Sequence, residues 1–283
     1  PQLFKEWDRA MPHWLLDTLK ALYRLPADWD VASMVAGERL LAKTPVLDSA
    51  LMALFTQLLS ATAMPSVRTR DRRGSAPRGY IPVRAVKVMN GRNWQSYMRR
   101  RDGILSECRS QGARHDPDFW EHGLNGDIMS MCIKDAPALR DGDAQPLAAE
   151  ANEMWLLHGT SHAAADGITS EDFDMTKANP TGLFGAGVYF AESISKADEY
   201  AEARDVDGED LYPMLLCRIT LGNVFYCAER RPDKADLADR CLRQQWHSVL
   251  GDRKKTSGTF REFIVYDEQQ AFPAYIIYYR RQY

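Results

Sequence analysis

A carboxylate inside an apolar strand is the least ordinary feature of this 283-residue chain. The run Arg261-Glu262-Phe263-Ile264-Val265-Tyr266-Asp267 sets Glu262 among side chains that exclude water. A carboxylate so placed must find partners or raise its pKa, and such positions are disproportionately functional. Three other stretches carry candidate groups. Leu156-Leu157-His158-Gly159-Thr160 ends an apolar run in an imidazole. Gly182-Leu183-Phe184-Gly185-Ala186-Gly187-Val188-Tyr189-Phe190-Ala191-Glu192 joins three glycines to a phenol, and Ser195-Lys196-Ala197-Asp198-Glu199-Tyr200 adds a hydroxyl and a second phenol. Each alone has an ordinary structural reading: a strand-end histidine hydrogen-bonded in place, core tyrosines, glycines that allow tight turns. The glycines do not form G-x-G-x-x-G and no long βαβ unit surrounds them, so they are a poor match to a dinucleotide-binding Rossmann unit. The cysteines Cys108, Cys132, Cys217, Cys227 and Cys241 make no C-x-x-C pair and the histidines are scattered, so no zinc site is expected. Reduced, buried thiols of an intracellular protein are expected instead.

The elements that must hold these groups can be read from periodicity. Met154–His158, Met214–Thr220, Glu262–Tyr266 and Ala274–Tyr279 read as strands, and Ser193–Ala203 as a helix with Ser193 near its start. Ile81–Val88 alternates like a strand, with Pro82 near its beginning, and Asn93 is placed to cap a helix containing Trp94, Tyr97 and Met98. Several strands with few helices between them indicate an α+β fold rather than a doubly wound sheet. Residues 3–62 read as about three helices punctuated by Pro12, Pro26 and Pro45, with Thr44-Pro45 as an N-cap and first-turn proline. Pro117–Trp120 opens a short helix and Asp135–Glu150 reads as a surface loop.

Composition sets the class. Charged residues make up 27% and hydrophobic residues 45%, with a net charge of -3, as in ordinary globular proteins and unlike disordered or collagenous chains. No run of about 20 apolar residues is present, so no membrane span is expected. The chain starts Pro1-Gln2 without a charged-then-apolar leader, so no secretory signal is expected in it. Between Pro65 and Arg101 there are eleven Lys+Arg and a single acid, Asp71. Within that run Arg68–Gly79 lacks apolar periodicity and reads as a linker or loop, which divides the chain into a helical segment with basic linker at 1–75 and a second domain at 76–283. The basic run Arg68–Arg101 has two readings, a solvated surface or a contact for nucleic acid or another polyanion.

Taken together, the order His-Gly-Thr, Gly-x-Gly-Val-Tyr-Phe-Ala, Ser-Lys-x-x-x-Tyr and Glu-Phe-Ile-Val-Tyr-Asp resembles the catalytic domain of the poly(ADP-ribose) polymerase family. This is the diphtheria-toxin-like branch of ADP-ribosyltransferases, marked by a His-Tyr-Glu triad. The resemblance covers roughly Tyr80 to Tyr283. Glu268-Gln269-Gln270-Ala271-Phe272-Pro273-Ala274-Tyr275-Ile276-Ile277 and His247-Ser248-Val249-Leu250-Gly251 look most like the tankyrase group.

The resemblance implies an ADP-ribosyltransferase fold with a split, mainly antiparallel β core and flanking helices, preceded by the small helical segment. It implies NAD+ as co-substrate, no metal, and a catalytic set of Glu262, His158 and Tyr189. His158 would bond the adenine-ribose hydroxyl and the Gly159 backbone the nicotinamide amide. Tyr189 and Tyr200 would sandwich the nicotinamide ring, with Thr160, Phe190 and Ser195 completing the binding residues. Glu262 would bond the 2′-hydroxyl of the nicotinamide ribose and stabilise the positive charge that builds there as the glycosidic bond breaks. Where the family commonly supplies a serine hydroxyl to the nicotinamide amide this chain has Ala197, one hydrogen bond fewer. Between Ser170 and Thr181, over the adenosine, lie Glu171, Asp172 and Asp174, which oppose a pyrophosphate unless they face away. The implied activity is transfer of ADP-ribose to a protein or nucleic-acid acceptor, as single units or as polymer, inside the cell. The alternatives are NAD+ hydrolysis, with water as acceptor, and a non-catalytic module that binds ADP-ribose or nucleic acid on the same fold.

Overall fold

Long apolar runs in β-branched and aromatic residues form the middle of one large, mostly antiparallel sheet. The computed structural model describes residues 12–36, 39–111, 128–140, 146–243 and 245–283. Its strands are β1 (Leu41–Pro45), β2 (Gly79–Asn90), β3 (Glu153–Gly159), β4 (Val188–Ala191), β5 (Arg204–Val206), β6 (Glu209–Thr220), β7 (Val224–Cys227), β8 (Ser248–Asp252), β9 (Arg261–Val265) and β10 (Ala271–Gln282). The order across the sheet is β1-β2-β10-β6-β3-β4-β9-β8-β7, with β5 paired to β6 off this path. Among the described strands, only β7 and β8 run parallel. The α+β reading from the sequence is therefore right. Met214–Thr220 is buried throughout because β6 lies between β3 and β10. Pro273 sits inside β10 rather than ahead of it, at a register shift where the ladder tolerates a missing N–H.

One joint in this sheet is thin. Strands β3 and β6 pair along seven residues, but β3 meets β4 only at Leu157↔Ala191. The sheet is thus two halves hinged at a single pair, and they splay apart beyond it. His158 and Gly159 lie past the joint on one lip, with Tyr189 on the other.

The helices are α1 (His13–Tyr23), α2 (Val31–Ala36), α3 (Ser49–Ala61), α4 (Gly91–Gln111), α5 (Pro137–Arg140), α6 (His162–Ser170), α7 (Ile194–Ala197), α8 (Lys234–Arg243) and α9 (Arg253–Ser257). Three details differ from the sequence reading. The segment expected to be wholly helical contains β1, which pairs Thr44 with Lys87 and Pro45 with Val86. An edge strand accommodates Pro45, and the cap of α3 is Asp48, whose carboxylate accepts from Ala50 N at 2.8 Å. Asn90, not Asn93, caps α4, its Oδ1 accepting from Asn93 N at 3.2 Å. The helix expected over Ser193–Ala203 is one turn, capped by Ser193, and tightens into a 3-10 turn at Asp198–Tyr200. The Pro117–Trp120 helix and residues 3–11 lie outside the described residues. The Asp135–Glu150 stretch holds α5, with 141–145 also outside.

The segment ahead of the expected linker packs against the sheet. Leu25, Trp29, Met34, Phe55 and Leu58 share one apolar cluster with Tyr80, Trp94 and Tyr275 of the sheet side. Further on, Thr69 and Arg72 bond to the turn after β4. No side-chain periodicity announces such contacts, because they are polar and distant in sequence. The thiols are not uniformly buried either, since Cys132 is exposed. Among the described residues, no helix is long and apolar enough to cross a membrane.

A buried carboxylate joins α4 to the sheet. Glu153, only 2% exposed, accepts from Arg101 Nε and Arg218 Nε at 2.8 Å each, and from the Tyr97 hydroxyl. These charges repay their desolvation only together. Glu153→Ala, which leaves both guanidinium groups buried without their shared partner, is expected to lower unfolding free energy by about 3–5 kcal/mol, measured by urea denaturation.

Candidate active site

The splayed joint between β3 and β4 opens a cleft of about 1210 Å³. It is lined, among others, by His158, Gly159, Thr160, Tyr189, Phe190, Tyr200 and Glu262. A second cavity, about 270 Å³ beside Trp29 and Tyr275, contains none of these residues. The four motifs that the sequence separates by a hundred residues therefore meet at one place.

Each group is set by local geometry. At the end of β3, His158 Nδ1 lies 2.9 Å from the Tyr189 carbonyl across the gap. A carbonyl only accepts, so Nδ1 carries the proton and Nε2 is left as an acceptor. Burial holds the imidazole below its ordinary pKa, which keeps it neutral at pH 7. Phe173 packs edge-on against it at 5.2 Å, and Phe190 lies tilted to it at 5.6 Å. Gly159 follows, where a Cβ would stand 1.8 Å from the Ala197 carbonyl oxygen. Only glycine lets β3 and α7 approach this closely.

Tyr189 is locked by the glycine turn before it. Its hydroxyl accepts from Phe184 N at 2.9 Å and donates to the Gly185 carbonyl at 2.8 Å. A Cβ at Gly182 would collide with that hydroxyl at 2.5 Å. With its polar end tied down and its pKa driven up by burial, Tyr189 offers the cleft a ring rather than a proton donor.

Glu262 sits in β9 opposite Ala191 and Gly251. Its neighbour Arg261 turns to the other face and pairs with buried Glu192, with Nη2–Oε2 at 2.8 Å, fixing β9 against the end of β4. The Glu262 side chain is 13% exposed, and burial raises its pKa against the pull of Lys196. Lys196 Nζ lies 3.5 Å from Glu262 Oε1 and 2.9 Å from each of Asp71 Oδ2, Glu199 Oε2 and the Tyr200 hydroxyl. Its pKa is driven further up by the carboxylates, so it stays an ammonium. The Tyr200 hydroxyl, pushed up to about 12 chiefly by burial, donates to Asp71 Oδ2 at 2.9 Å.

Ser195 is the exception among the residues expected in the site. Its hydroxyl points away from the cleft, accepting from Met64 N at 2.8 Å and Tyr80 OH at 3.3 Å. Two cleft residues escaped the sequence reading. Lys196 was visible as a motif member four residues before Tyr200, the spacing that brings helical side chains together. Asp71 had one weak sign, being the lone acid in a basic run.

The acids over the far end of the cleft are individually accounted for. Exposed Glu171 pairs with Arg39, and Asp174 caps Thr176 and lies 3.3 Å from Lys177. Asp172, at a positive φ of 129° that strains a non-glycine residue, is pushed up to about 7 by burial. Near neutral pH it is only partly ionised, which weakens its repulsion of an anion. Among the described residues no three His, Cys, Asp or Glu side chains are grouped to hold a metal ion.

The sequence model of the poly(ADP-ribose) polymerase catalytic domain matches residues 139–281. The chain belongs to this family. It is 26% identical over 153 residues to poly [ADP-ribose] polymerase tankyrase of Caenorhabditis elegans, covering 50% of this chain and 7% of that protein. It is 28% identical over 161 residues to poly [ADP-ribose] polymerase 2-A of Oryza sativa subsp. japonica, covering 47% of this chain and 24% of that protein. The chain thus spans a quarter or less of the length of these relatives. The α+β fold with its largely antiparallel sheet agrees with the catalytic domain of the family.

The Gly159 contact is directly testable. Gly159→Ala is expected to cost about 1–3 kcal/mol of stability, seen as a lower urea midpoint. Gly103→Ala, on an open face of α4, is expected to gain up to about 1 kcal/mol.

Proposed function

We propose that this chain is an NAD+-dependent ADP-ribosyltransferase that releases nicotinamide and transfers ADP-ribose to a protein or nucleic-acid acceptor. Residues 76–283 form the transferase, and the described residues of the segment ahead of it pack against it. The observation that carries the reading is the convergence of His158, Gly159, Tyr189, Tyr200 and Glu262 on one cleft. Their states suit the task. Neutral His158, with Nε2 free to accept, takes a hydrogen bond from a ribose hydroxyl. The narrow passage at Gly159 lets backbone amide and carbonyl meet a planar carboxamide, and the rings of Tyr189 and Tyr200 flank the pyridine. With Ala197 in place of a serine, the carboxamide rests on backbone alone.

Glu262 does the chemistry. As the bond between the ribose carbon and the pyridine nitrogen lengthens, positive charge grows on the ribose, and the carboxylate beside it opposes that charge. Nicotinamide leaves neutral, so no strong acid has to protonate it. The acceptor oxygen then bonds to the same ribose carbon and gives its proton to Glu262. Lys196 holds the carboxylate in its charged form against the penalty of burial.

The basic run supplies less free charge than its composition suggests. Arg72 pairs with Asp198, Lys87 with Asp28, Arg100 with Asp267 and Arg101 with Glu153, and Arg84 stacks on Tyr278. This weakens the case for recognition of a polyanion by the run as a whole.

Incubation with NAD+ followed by intact-mass spectrometry tests the reading. Mass increments of one ADP-ribose or of several on an acceptor would each support transfer and would separate single-unit from polymer synthesis, whereas free ADP-ribose alone would mark a hydrolase. Glu262→Gln is expected to slow nicotinamide release roughly 10²–10³-fold. Because the reacting form is the carboxylate and its pKa is raised, wild-type activity is expected to climb with pH through a limb lying above the ordinary glutamate range.

A further inference from the structure

The loop Val67–Arg73 lies far outside the region that matches the family, yet its side chains reach the catalytic cleft. Thr69 donates its hydroxyl to Glu199 Oε1. Arg72, with its side chain 7% exposed, bonds Asp198 Oδ2 and donates to the Ser195 carbonyl at 2.6 Å. Asp198 is itself fully buried and is also held by Arg281 and Tyr279. These contacts fasten the loop along the whole of α7 and the 3-10 turn after it. Asp71, between them, is therefore aimed into the cleft by its neighbours on both sides.

There the Lys196 ammonium has more partners than protons. Its three near contacts, at 2.9 Å, go to Asp71, Glu199 and Tyr200, and Glu262 receives the longest, at 3.5 Å. Asp71 accepts from Tyr200 as well, so one carboxylate fixes both the ammonium and the phenol. Resting on the transferase reading of the cleft, we propose that Asp71 is a positioning residue for the reaction, which holds Lys196 toward Tyr200 and off Glu262. Glu262 is faced by Lys196 and Asp71, by Glu199 and Tyr200 from the 3-10 turn, and by Tyr189 from β4; Arg253 acts on Asp71 from α9. Removing the Asp71 charge takes away one repulsion on Glu262 and frees the ammonium to move toward it. Both changes favour the Glu262 carboxylate. The Asp71 side chain is 54% exposed, so this is an exchangeable contact at the mouth of the cleft and not a core ion pair.

Carboxyl NMR titration of the ligand-free chain reads this without requiring turnover, with the Glu262 signal assigned by its loss in Glu262→Gln. In Asp71→Asn the Glu262 midpoint is expected to fall to lower pH by roughly threefold in proton concentration, the order of a screened repulsion between neighbouring carboxylates. The acid limb of the kcat/KM profile for nicotinamide release is expected to move with it. Asp71→Ser, which shortens the side chain, is expected to give the same shift, and Glu209→Gln, which removes an exposed carboxylate that does not line the cleft, is expected to give none. An unmoved Glu262 midpoint in both Asp71 variants overturns the proposal. So does loss of folded protein in both, which would make the carboxylate a structural tie. A wild-type chain that releases no nicotinamide, yet shows the shifted midpoint in Asp71→Asn, refutes the transferase reading and supports the hold of Asp71 on Lys196.

Discussion

One buried ammonium sits among the buried carboxylates of the cleft. Lys196 is nearly enclosed, and Glu199 and Glu262 beside it are enclosed as well. Two carboxylates desolvated this close together would not both remain ionised without a cation between them. The ammonium permits that, and in doing so ties β9, which carries Glu262, to the short helix that carries Tyr200. Lys196 and Glu199 bond to each other across this turn, and buried Asp198 accepts from Tyr279.

What could be read in the sequence followed from how local the cause was. Strand cores such as Met214–Thr220 were legible because burial on both faces leaves a continuous apolar run. Ser193 was legible as a helix start because capping is a two-residue event. His158, Tyr189 and Glu262 were legible through their immediate motif neighbours. By contrast, β1 was hidden because its five residues carry little strand propensity and owe their state to pairing with β2. The direction of Ser195 was hidden because it is decided by Met64 and Tyr80, more than a hundred residues away. Asp71 was hidden for the same reason, its contact with Lys196 spanning 125 residues.

The thin joint at Leu157↔Ala191 shows how a sheet becomes a cleft. Had β3 and β4 paired along their full length, the backbone carbonyl of Tyr189 would be engaged in the ladder rather than available to His158 Nδ1. Giving up ladder hydrogen bonds leaves backbone groups to be satisfied by other means. The histidine satisfies one of them and is thereby fixed as the tautomer with an accepting Nε2. The same loss of pairing leaves room for Gly159 to press against Ala197, so the gap, the tautomer and the need for glycine have one origin.

The matched catalytic region begins at residue 139, but the cooperative structure begins earlier. Strand β10 lies between β6 and β2, and without β2 its long apolar edge would stand open to pairing with other chains. Two buried carboxylates make the same point. Glu153 is neutralised by Arg218 from the matched region and Arg101 from before it, and Asp198 by Arg281 and Arg72 in the same division. A chain cut at residue 139 would leave each acid with one of its two cations, in an interior where charge is tolerated only when fully paired. Residues ahead of the matched region are thus structural members of the site, holding the turn that bears Lys196 and Tyr200 from its outer side while the sheet holds it from within.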